Sequence, residues 1–374
     1  MKKLTLNSPM VAPKNISVLS RLGWATLLLC LTWTSSCDDP PTSKENNSEA
    51  DASTNAAADA SVPQNPSDGG EADCDDLPDL PIKEYKTISG PGKGEDFAFD
   101  KQGKMISIAD GHLLSFDHDG KMTILVPNVL EKNFHGDQTS HGLAALPNGD
   151  IVFADSGKGS LMRVDIDQKT VTEILGKLPF PNGVIVDRKG FVYVTVVADK
   201  PGSTVTIEDI DLDNITEKGV VVRINPDNGD YVIVADKLTL PNGLAFSKDY
   251  DTLYIGSHDA GGRIFALDIA SGDTKLFAAG IGKEEGNLDG LTVDTCGNVY
   301  ATELETGTAW RISPDGENIE LLVDVYKSSP WTPNLHFGSG LGGWDVSSLY
   351  IINYEKAEIY EVKVGAVGVV PANL

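Results

Sequence analysis

The chain has 374 residues, of which 55 are acidic and 30 are basic, so its formal net charge is −25 at pH 7. Such an acidic chain repels phosphate backbones, which argues against a nucleic-acid partner. Clusters of acids suit a soluble protein of the outer cell face and can also hold metal ions.

The N-terminal 36 residues are typical of an export signal. They contain basic residues but no acid, since the first acid is Asp38, and their apolar core, Leu22 to Trp33, is shorter than the roughly 20 residues of a membrane-spanning helix. Small residues then precede Cys37, as in a bacterial lipobox. We therefore expect Cys37 to be lipidated and the protein to be anchored to the cell envelope, periplasmic or at the surface, by this lipid alone. Plain secretion is one alternative, and a retained membrane anchor is the other.

Residues 37–80 have the composition of a disordered acidic tether. They carry twelve acids and one base, Lys44, with almost no large apolar residue before Leu77. Such a segment cannot bury enough apolar surface to offset the entropy lost on ordering. The remainder, 81–374, is long enough for one large domain, which we expect to be a monomer.

Two cysteines remain if the signal takes Cys30 away and Cys37 is lipidated. These are Cys74 and Cys296. An oxidising compartment permits a disulfide between them, and two unpaired thiols are the alternative.

Short apolar runs alternate with turn clusters after residue 81, which predicts many short antiparallel strands. Five segments share one pattern: a polar lead residue, a short strand, a turn and a second strand. The lead residues lie 46, 41, 60 and 47 positions apart, and they are Glu95, His141, Asn182, Asn242 and Asp289. A polar insertion, about Asp199 to Lys218, explains the long interval.

A sixth unit runs from Asn334 to the C-terminal region, and a strand at Glu84 to Ile88 could complete the last blade and lock the ring. Six units of four strands predict an all-β fold, a six-bladed β-propeller. The innermost strand of each blade lines the central channel, so the five lead residues should lie at one height around it. Converging carboxylate and amide oxygens are ligands for a hard divalent cation, most simply Ca²⁺.

The repeats resemble the calcium-dependent six-bladed propeller hydrolases, a group that includes the senescence-marker-protein/gluconolactonase family, diisopropyl-fluorophosphatase and the paraoxonases. The resemblance is carried by the segments that begin Phe180-Pro-Asn-Gly, Leu240-Pro-Asn-Gly and Leu288-Asp-Gly-Leu. It implies that the catalytic calcium is held by Glu95, Asn182, Asn242 and Asp289.

The resemblance also suggests roles for three further residues. His141-Gly142 is similar to a paraoxonase segment whose histidine is proposed as a base, although Ser156 stands near the place of its usual partner histidine. His336 and Asp96 are similar to residues that serve a second, structural calcium, but Thr292 stands where that site would have an acid.

The implied activity is hydrolysis of a small-molecule lactone or related ester. A cation would stabilise the developing oxyanion, and Asp289 or His141 would activate water. A phosphotriester reaction at the same metal is one alternative. A non-catalytic propeller that binds a glycan or a protein is another, and Trp331, Trp344 and the insertion would then form its binding rim.

Overall fold

The computed structural model describes Cys74 and residues 77–90, 92–282, 286–325 and 330–374. The export signal, the lipidation site Cys37 and all but the end of the tether lie outside these residues, so these three predictions stay predictions. Within the described part of the chain, no helix is long and apolar enough to cross a bilayer.

The described residues form six four-stranded sheets, which are the blades of a β-propeller and confirm the predicted all-β fold. The first strand, β1 (Lys86–Ser89), belongs to blade 6. Blade 1 contains β2 (Phe97–Phe99), β3 (Met105–Ala109), β4 (His112–Phe116) and β5 (Met122–Val126). Blade 2 contains β6 (Leu143–Ala145), β7 (Ile151–Asp155), β8 (Ser160–Asp165) and β9 (Thr170–Leu175). Blade 3 contains β10 (Pro181–Val186), β11 (Val192–Val196), β12 (Gly219–Ile224) and β13 (Tyr231–Leu238).

The remaining blades follow the same order from the channel outward. Blade 4 contains β14 (Pro241–Phe246), β15 (Thr252–Ser257), β16 (Ile264–Asp268) and β17 (Thr274–Ala278). Blade 5 contains β18 (Leu288–Val293), β19 (Val299–Glu303), β20 (Thr308–Ile312) and β21 (Ile319–Asp324). Blade 6 contains β22 (Leu335–Phe337), β23 (Ser348–Asn353) and β24 (Glu358–Lys363). Two short 3₁₀ turns, Ile207–Asp209 and Leu212–Asn214, lie in the insertion between β11 and β12.

The ring is closed by the N-terminal strand. β1 pairs antiparallel with β24, from Lys86 opposite Glu361 to Ser89 opposite Glu358, so blade 6 is built from both ends of the domain. This confirms the predicted locking strand, displaced by one to two residues from its expected bounds. Separating the two ends therefore requires breaking a row of β-ladder hydrogen bonds.

The apolar core consists of clusters that lie between neighbouring blades. One joins blades 1 and 2 through residues such as Ile108 and Phe153, and another joins blades 2 and 3 through Val152 and Val222. Further clusters join each following pair and finally blades 6 and 1. Because both faces of every blade are covered, strands such as β3, β7 and β11 are continuously buried.

Glycines allow the inner strands to approach each other at the lead residues. A Cβ on Gly142, Gly183 or Gly243 would collide with the backbone carbonyl of the lead residue in the next blade. In blades 3, 4 and 5 the register of the inner strand pair also shifts at this point, as in a β-bulge. The bulge re-aims the lead side chain, which is a common device beside functional sites.

Blade 6 differs in this register. The Thr302 hydroxyl donates to the carbonyl of Pro333, just as the Thr195 hydroxyl donates to the carbonyl of Asn242 two blades earlier. Pro333 rather than Asn334 therefore occupies the lead position. Blade 6 contributes no side-chain donor or acceptor there.

The end of the channel away from the lead residues is closed by the C-terminal segment. Val369 N–H donates to the Val293 carbonyl, and the Asn373 side chain donates to the Phe99 carbonyl across the channel. A small cavity of about 100 Å³ remains between this segment and the inner strands. The end that carries the lead residues is not covered by this segment.

A disulfide joins Cys74 to Cys296 at a sequence separation of 222, so the pairing left open by the sequence is present. Cys296 lies in the turn between β18 and β19, at the end of blade 5 opposite Asp289. After the bond the chain runs along blade 5, where Ile82 N–H donates to the Leu322 carbonyl, and it then enters β1. The disulfide therefore ties down the segment that closes the ring.

Candidate metal centre and active site

The lead residues of blades 1 to 5 meet at one end of the channel. Asn182, Asn242 and Asp289 are each between 5% and 7% exposed, and His141 is 3% exposed. The Nε2 of His141 lies 3.7 Å from Oε2 of Glu95. Asn242 makes a side-chain hydrogen bond with Asp289. Asn182 holds the same register in blade 3, between His141 and Asn242, so all five predicted residues share one channel end.

Two carboxyl groups in this cluster are held against ionisation. Burial raises the pKa of Glu95 well above its usual value, and repulsion from Asp289, Asp96 and Asp137 adds to the effect. Burial and repulsion from Asp96 raise the pKa of Asp289, and the hydrogen bond from Asn242 lowers it by less. The net result is a pKa of about 8. A nearby positive charge would relieve both penalties.

His141 is neutral at physiological pH. Burial and, to a lesser extent, the neighbouring His135 lower the pKa of its imidazole to about 3. Neither ring nitrogen has a hydrogen-bond partner among the described residues, although both atoms are buried. A buried imidazole without a partner is costly, so its nitrogens are available to a group that the protein does not itself supply.

A loop between β5 and β6 adds residues to the site that the sequence analysis missed. The His135 ring lies 5.5 Å from that of His141, and Asp137 is close enough to Glu95 to raise its pKa. Asp137 also makes a hydrogen bond with the Tyr354 side chain. The only sequence signal for this loop is its unusual length and polarity.

An aromatic wall stands beside His141. Phe134 stacks on Phe180 with ring centroids 4.4 Å apart, and Phe180 lies 5.2 Å from His141. Phe180 belongs to the Phe-Pro-Asn-Gly segment but was not singled out in the sequence. Ser156, which stands near the expected place of a partner histidine, accepts a hydrogen bond from Phe134 N–H instead.

His336 and Asp96 lie one level deeper in the channel and contact each other. His336 Nε2 donates to Asp96 Oδ1 at 3.0 Å, and the same carboxylate accepts from Phe97 N–H and Leu143 N–H. Asp96 therefore links blades 6, 1 and 2. The role of His336 and Asp96 in a second metal site stays a prediction. Thr292, which stands where that site would have an acid, lines the channel at the same level.

The two tryptophans considered for a binding rim have different environments. Trp344 is 1% exposed and packs against Phe99, His118 and Tyr350, so it belongs to the core and not to a rim. Trp331 is 37% exposed. Its carbonyl accepts a hydrogen bond from Tyr354 N–H, which places it at the end of the channel where the site lies.

The residues at the channel end fit a hard cation by their donor chemistry. Within the described ranges, no group of three or more His, Cys, Asp and Glu side chains could hold a metal. The predicted ligand set does not meet that definition, because only two of its four members are carboxylates. The other two are asparagines, whose amide oxygens can also bind a cation. Two carboxylates with two amides are oxygen donors of the type that calcium prefers.

Three comparisons relate this fold and site to known proteins. The family model described as "SMP-30/Gluconolactonase/LRE-like region" matches residues 102–352. A Zymomonas mobilis protein named gluconolactonase is 30% identical over 198 residues, which are 49% of this chain and 54% of that protein. The chain thus spans about half the length of that relative.

Solved structures share the propeller fold. A Xanthomonas campestris protein described as a gluconolactonase superposes with a TM-score of 0.58 at 22% identity, over 79% of this chain and 96% of that one. An Agrobacterium tumefaciens protein described as a calcium-binding protein, regucalcin, gives 0.57 at 17% identity, over 78% and 97%. Because the family model spans more than half of the chain, including four of the five lead residues, this protein belongs to the SMP-30/gluconolactonase/LRE-like family.

Proposed function

We propose that this protein is a divalent-metal-dependent hydrolase, most simply calcium-dependent, that acts on a lactone or a related ester. The proposal is carried by one observation: Glu95 and Asp289, both held against ionisation, lie at the channel end beside the neutral, unpartnered imidazole of His141. Family membership and the relative named gluconolactonase support the lactone.

Glu95, Asn182, Asn242 and Asp289 would hold the cation. When bound, it would act as a Lewis acid toward a carbonyl oxygen and favour the developing negative charge. Its charge would also allow both carboxyl groups to ionise at neutral pH, which their burial otherwise opposes. The amide of Asn242 already orients Asp289 by a hydrogen bond.

His141 and Asp289 are the two candidates for activating water. A general base must be unprotonated and within hydrogen-bond reach of the proton that it takes. His141 meets the first condition because its imidazole is neutral, and its nitrogens are not engaged by described protein groups, but a pKa of about 3 makes it a weak base in the metal-free protein. The ring of Phe180 lies against His141, and Phe134 stacks on Phe180.

The direct test follows acid release from a panel of sugar and aliphatic lactones in a pH-stat, with calcium and then with a chelator. We expect turnover that the chelator abolishes and that added calcium restores. Chelator-sensitive turnover of phosphotriesters alone would reassign the substrate. Calcium-loaded protein that hydrolyses neither class would contradict the enzymatic proposal and favour a binding propeller.

The stability of the metal-free protein should depend on pH. Because the native pKa values of Glu95 and Asp289 are raised, the native state binds more protons than the unfolded state from about pH 4 up to about pH 8. Stability is therefore lost as the pH rises through this window. Calcium offsets this loss, so we expect the calcium-induced rise in Tm to be small near pH 5 and large near pH 8. Thermal scans across this range measure it, and a shift that is constant or falls with pH contradicts it.

We also propose that the chain is exported and held to the bacterial envelope through a lipid on Cys37. The disulfide between Cys74 and Cys296 supports export, because such bonds persist in oxidising compartments. The disulfide holds Cys74 at the end of blade 5 opposite Asp289. Metabolic labelling with a radioactive fatty acid, compared between wild type and Cys37→Ser, tests the anchor.

A further inference from the structure

The loop from β5 to β6 brings Asp137 to the mouth of the candidate site. The hydroxyl of Thr139 accepts a hydrogen bond from the N–H of Glu95 at 3.1 Å. The His135 ring lies 5.5 Å from that of His141. Asp137 stands between these two anchored positions of the loop, and it is exposed. It therefore lies beside the predicted ligand Glu95, at the surface of the open end of the channel.

Asp137 is held in place by its own loop and by blade 6. The side-chain oxygen of Asn133 accepts hydrogen bonds from the N–H groups of His135 and Asp137, both at 2.9 Å. The hydroxyl of Tyr354, directly after β23, donates to the Asp137 carboxylate. This carboxylate therefore has a fixed position beside the site, and an asparagine in its place could accept the same hydrogen bond.

Acids outnumber bases around the mouth. Burial raises the pKa of the Tyr354 hydroxyl, and its hydrogen bond to Asp137 and the charges of Glu95 and Asp110 add to this effect. Lys93 is exposed, and its Nζ lies 6.0 Å from the centre of the Tyr354 ring.

Five carboxyl groups thus surround the place of the proposed cation. Among the described residues, no lysine or arginine forms an ion pair with any of them, and they are Glu95, Asp96, Asp110, Asp137 and Asp289. A bound divalent cation and Lys93 together balance three of these five charges, so the mouth stays negative in the metal-loaded protein. A cleft of one sign repels solutes of the same sign.

We propose that Asp137 is a specificity-determining residue, whose fixed negative charge at the mouth disfavours substrates that carry an anionic group. The preferred substrate class is thus a lactone or ester without a carboxylate or a phosphate. Asp137 acts through its charge and touches no reacting atom, so it is not a catalytic residue. This inference rests on the proposed function.

The test compares two δ-lactones, one with a carboxylate on the carbon next to the ring oxygen and one with a carboxamide there. Both have the same shape, and only the first is charged. With saturating calcium, the wild type should have a higher kcat/KM for the carboxamide. In Asp137→Asn we expect the ratio of carboxylate to carboxamide kcat/KM to rise about four-fold at ~10 mM ionic strength, where charges are little screened. The rise should disappear at ~1 M salt.

Two further variants separate the charge of Asp137 from its packing and from the net charge of the chain. Asp137→Glu keeps the charge and should keep the wild-type ratio. Asp315→Asn removes one negative charge from the exposed turn after β20, at the end of blade 5 away from the site, and should also keep it. Because the ratio is compared between variants, direct binding of the carboxylate to the cation cancels. An equal rise in either control, or no rise in Asp137→Asn, overturns the inference.

A binding measurement distinguishes failure of this inference from failure of the proposed function. Calorimetric titration of the calcium-loaded protein with 3-oxocyclohexanecarboxylate and its carboxamide, which have no ester bond, should show the same rise in relative affinity for the anion in Asp137→Asn. That result in a protein without lactone turnover supports the role of Asp137 in excluding anions and overturns the proposed function. Turnover of lactones with kinetic and binding ratios that Asp137→Asn leaves unchanged supports the proposed function and overturns the role of Asp137.

Discussion

In the Asp289→Asn variant we expect lactone turnover to fall by roughly three orders of magnitude and retained calcium to be lost. Asp289 is 5% exposed and carries one of the two lead-register carboxylates, so an amide there removes charge that both the cation and a base would use. Turnover is measured in the pH-stat, and bound calcium per chain is measured by atomic emission after gel filtration. Asp315→Asn, in an exposed turn, is the control and should change neither quantity.

The His141→Gln variant separates the two roles within the site. The imidazole is not in the predicted ligand set, so we expect calcium content to stay at the wild-type level while turnover falls by roughly two orders of magnitude. Unchanged turnover would leave Asp289 as the base. Full activity together with full calcium content in Asp289→Asn would contradict the assignment of the site itself.

Loss of the disulfide is the second change for which we expect a large effect. Cys296→Ser should lower the free energy of unfolding by roughly 2–5 kcal/mol, because the bond closes a span of 222 residues. It also frees the segment that leads through Ile82 into β1, whose pairing with β24 closes the ring. Urea unfolding of the purified protein, with and without a reducing agent, measures the difference.

Three variants, compared with one another, serve as controls for that measurement. Cys74→Ser, Cys296→Ser and the double variant should be equally destabilised, because each lacks the same bond, and reduction should have no further effect on any of them. Destabilisation of Cys296→Ser alone would instead indicate a packing role for that side chain. A wild type that is insensitive to reduction and equal in stability to the variants would show that the bond contributes nothing.

Much of the fold could be predicted because a propeller repeats its local pattern. In the first five repeats the second strand begins ten residues after the lead residue, at Met105, Ile151, Val192, Thr252 and Val299. A repeated register also carries its side chains to one height around the channel. For this reason Glu95, His141, Asn182, Asn242 and Asp289 could be grouped without any knowledge of their contacts.

Residues outside the repeat could not be placed in this way. His135 and Asp137 reach the site from a loop between two blades, and Phe180 takes its place there through stacking with Phe134. None of them stands in a repeated register. Blade 6 shows the opposite case, a repeat that adds nothing to the site. Its lead position carries Pro333, whose side chain has no donor or acceptor.

The amino-acid sequence by itself determined the class of fold, the number of blades and the ring of lead residues, since these follow from periodicity between neighbouring residues. The tertiary structure alone decided the Cys74–Cys296 bond and the links that Asp96 makes between three blades. The physical reason is distance along the chain. These features join residues that lie tens to hundreds of positions apart, and only the closed ring brings them within contact.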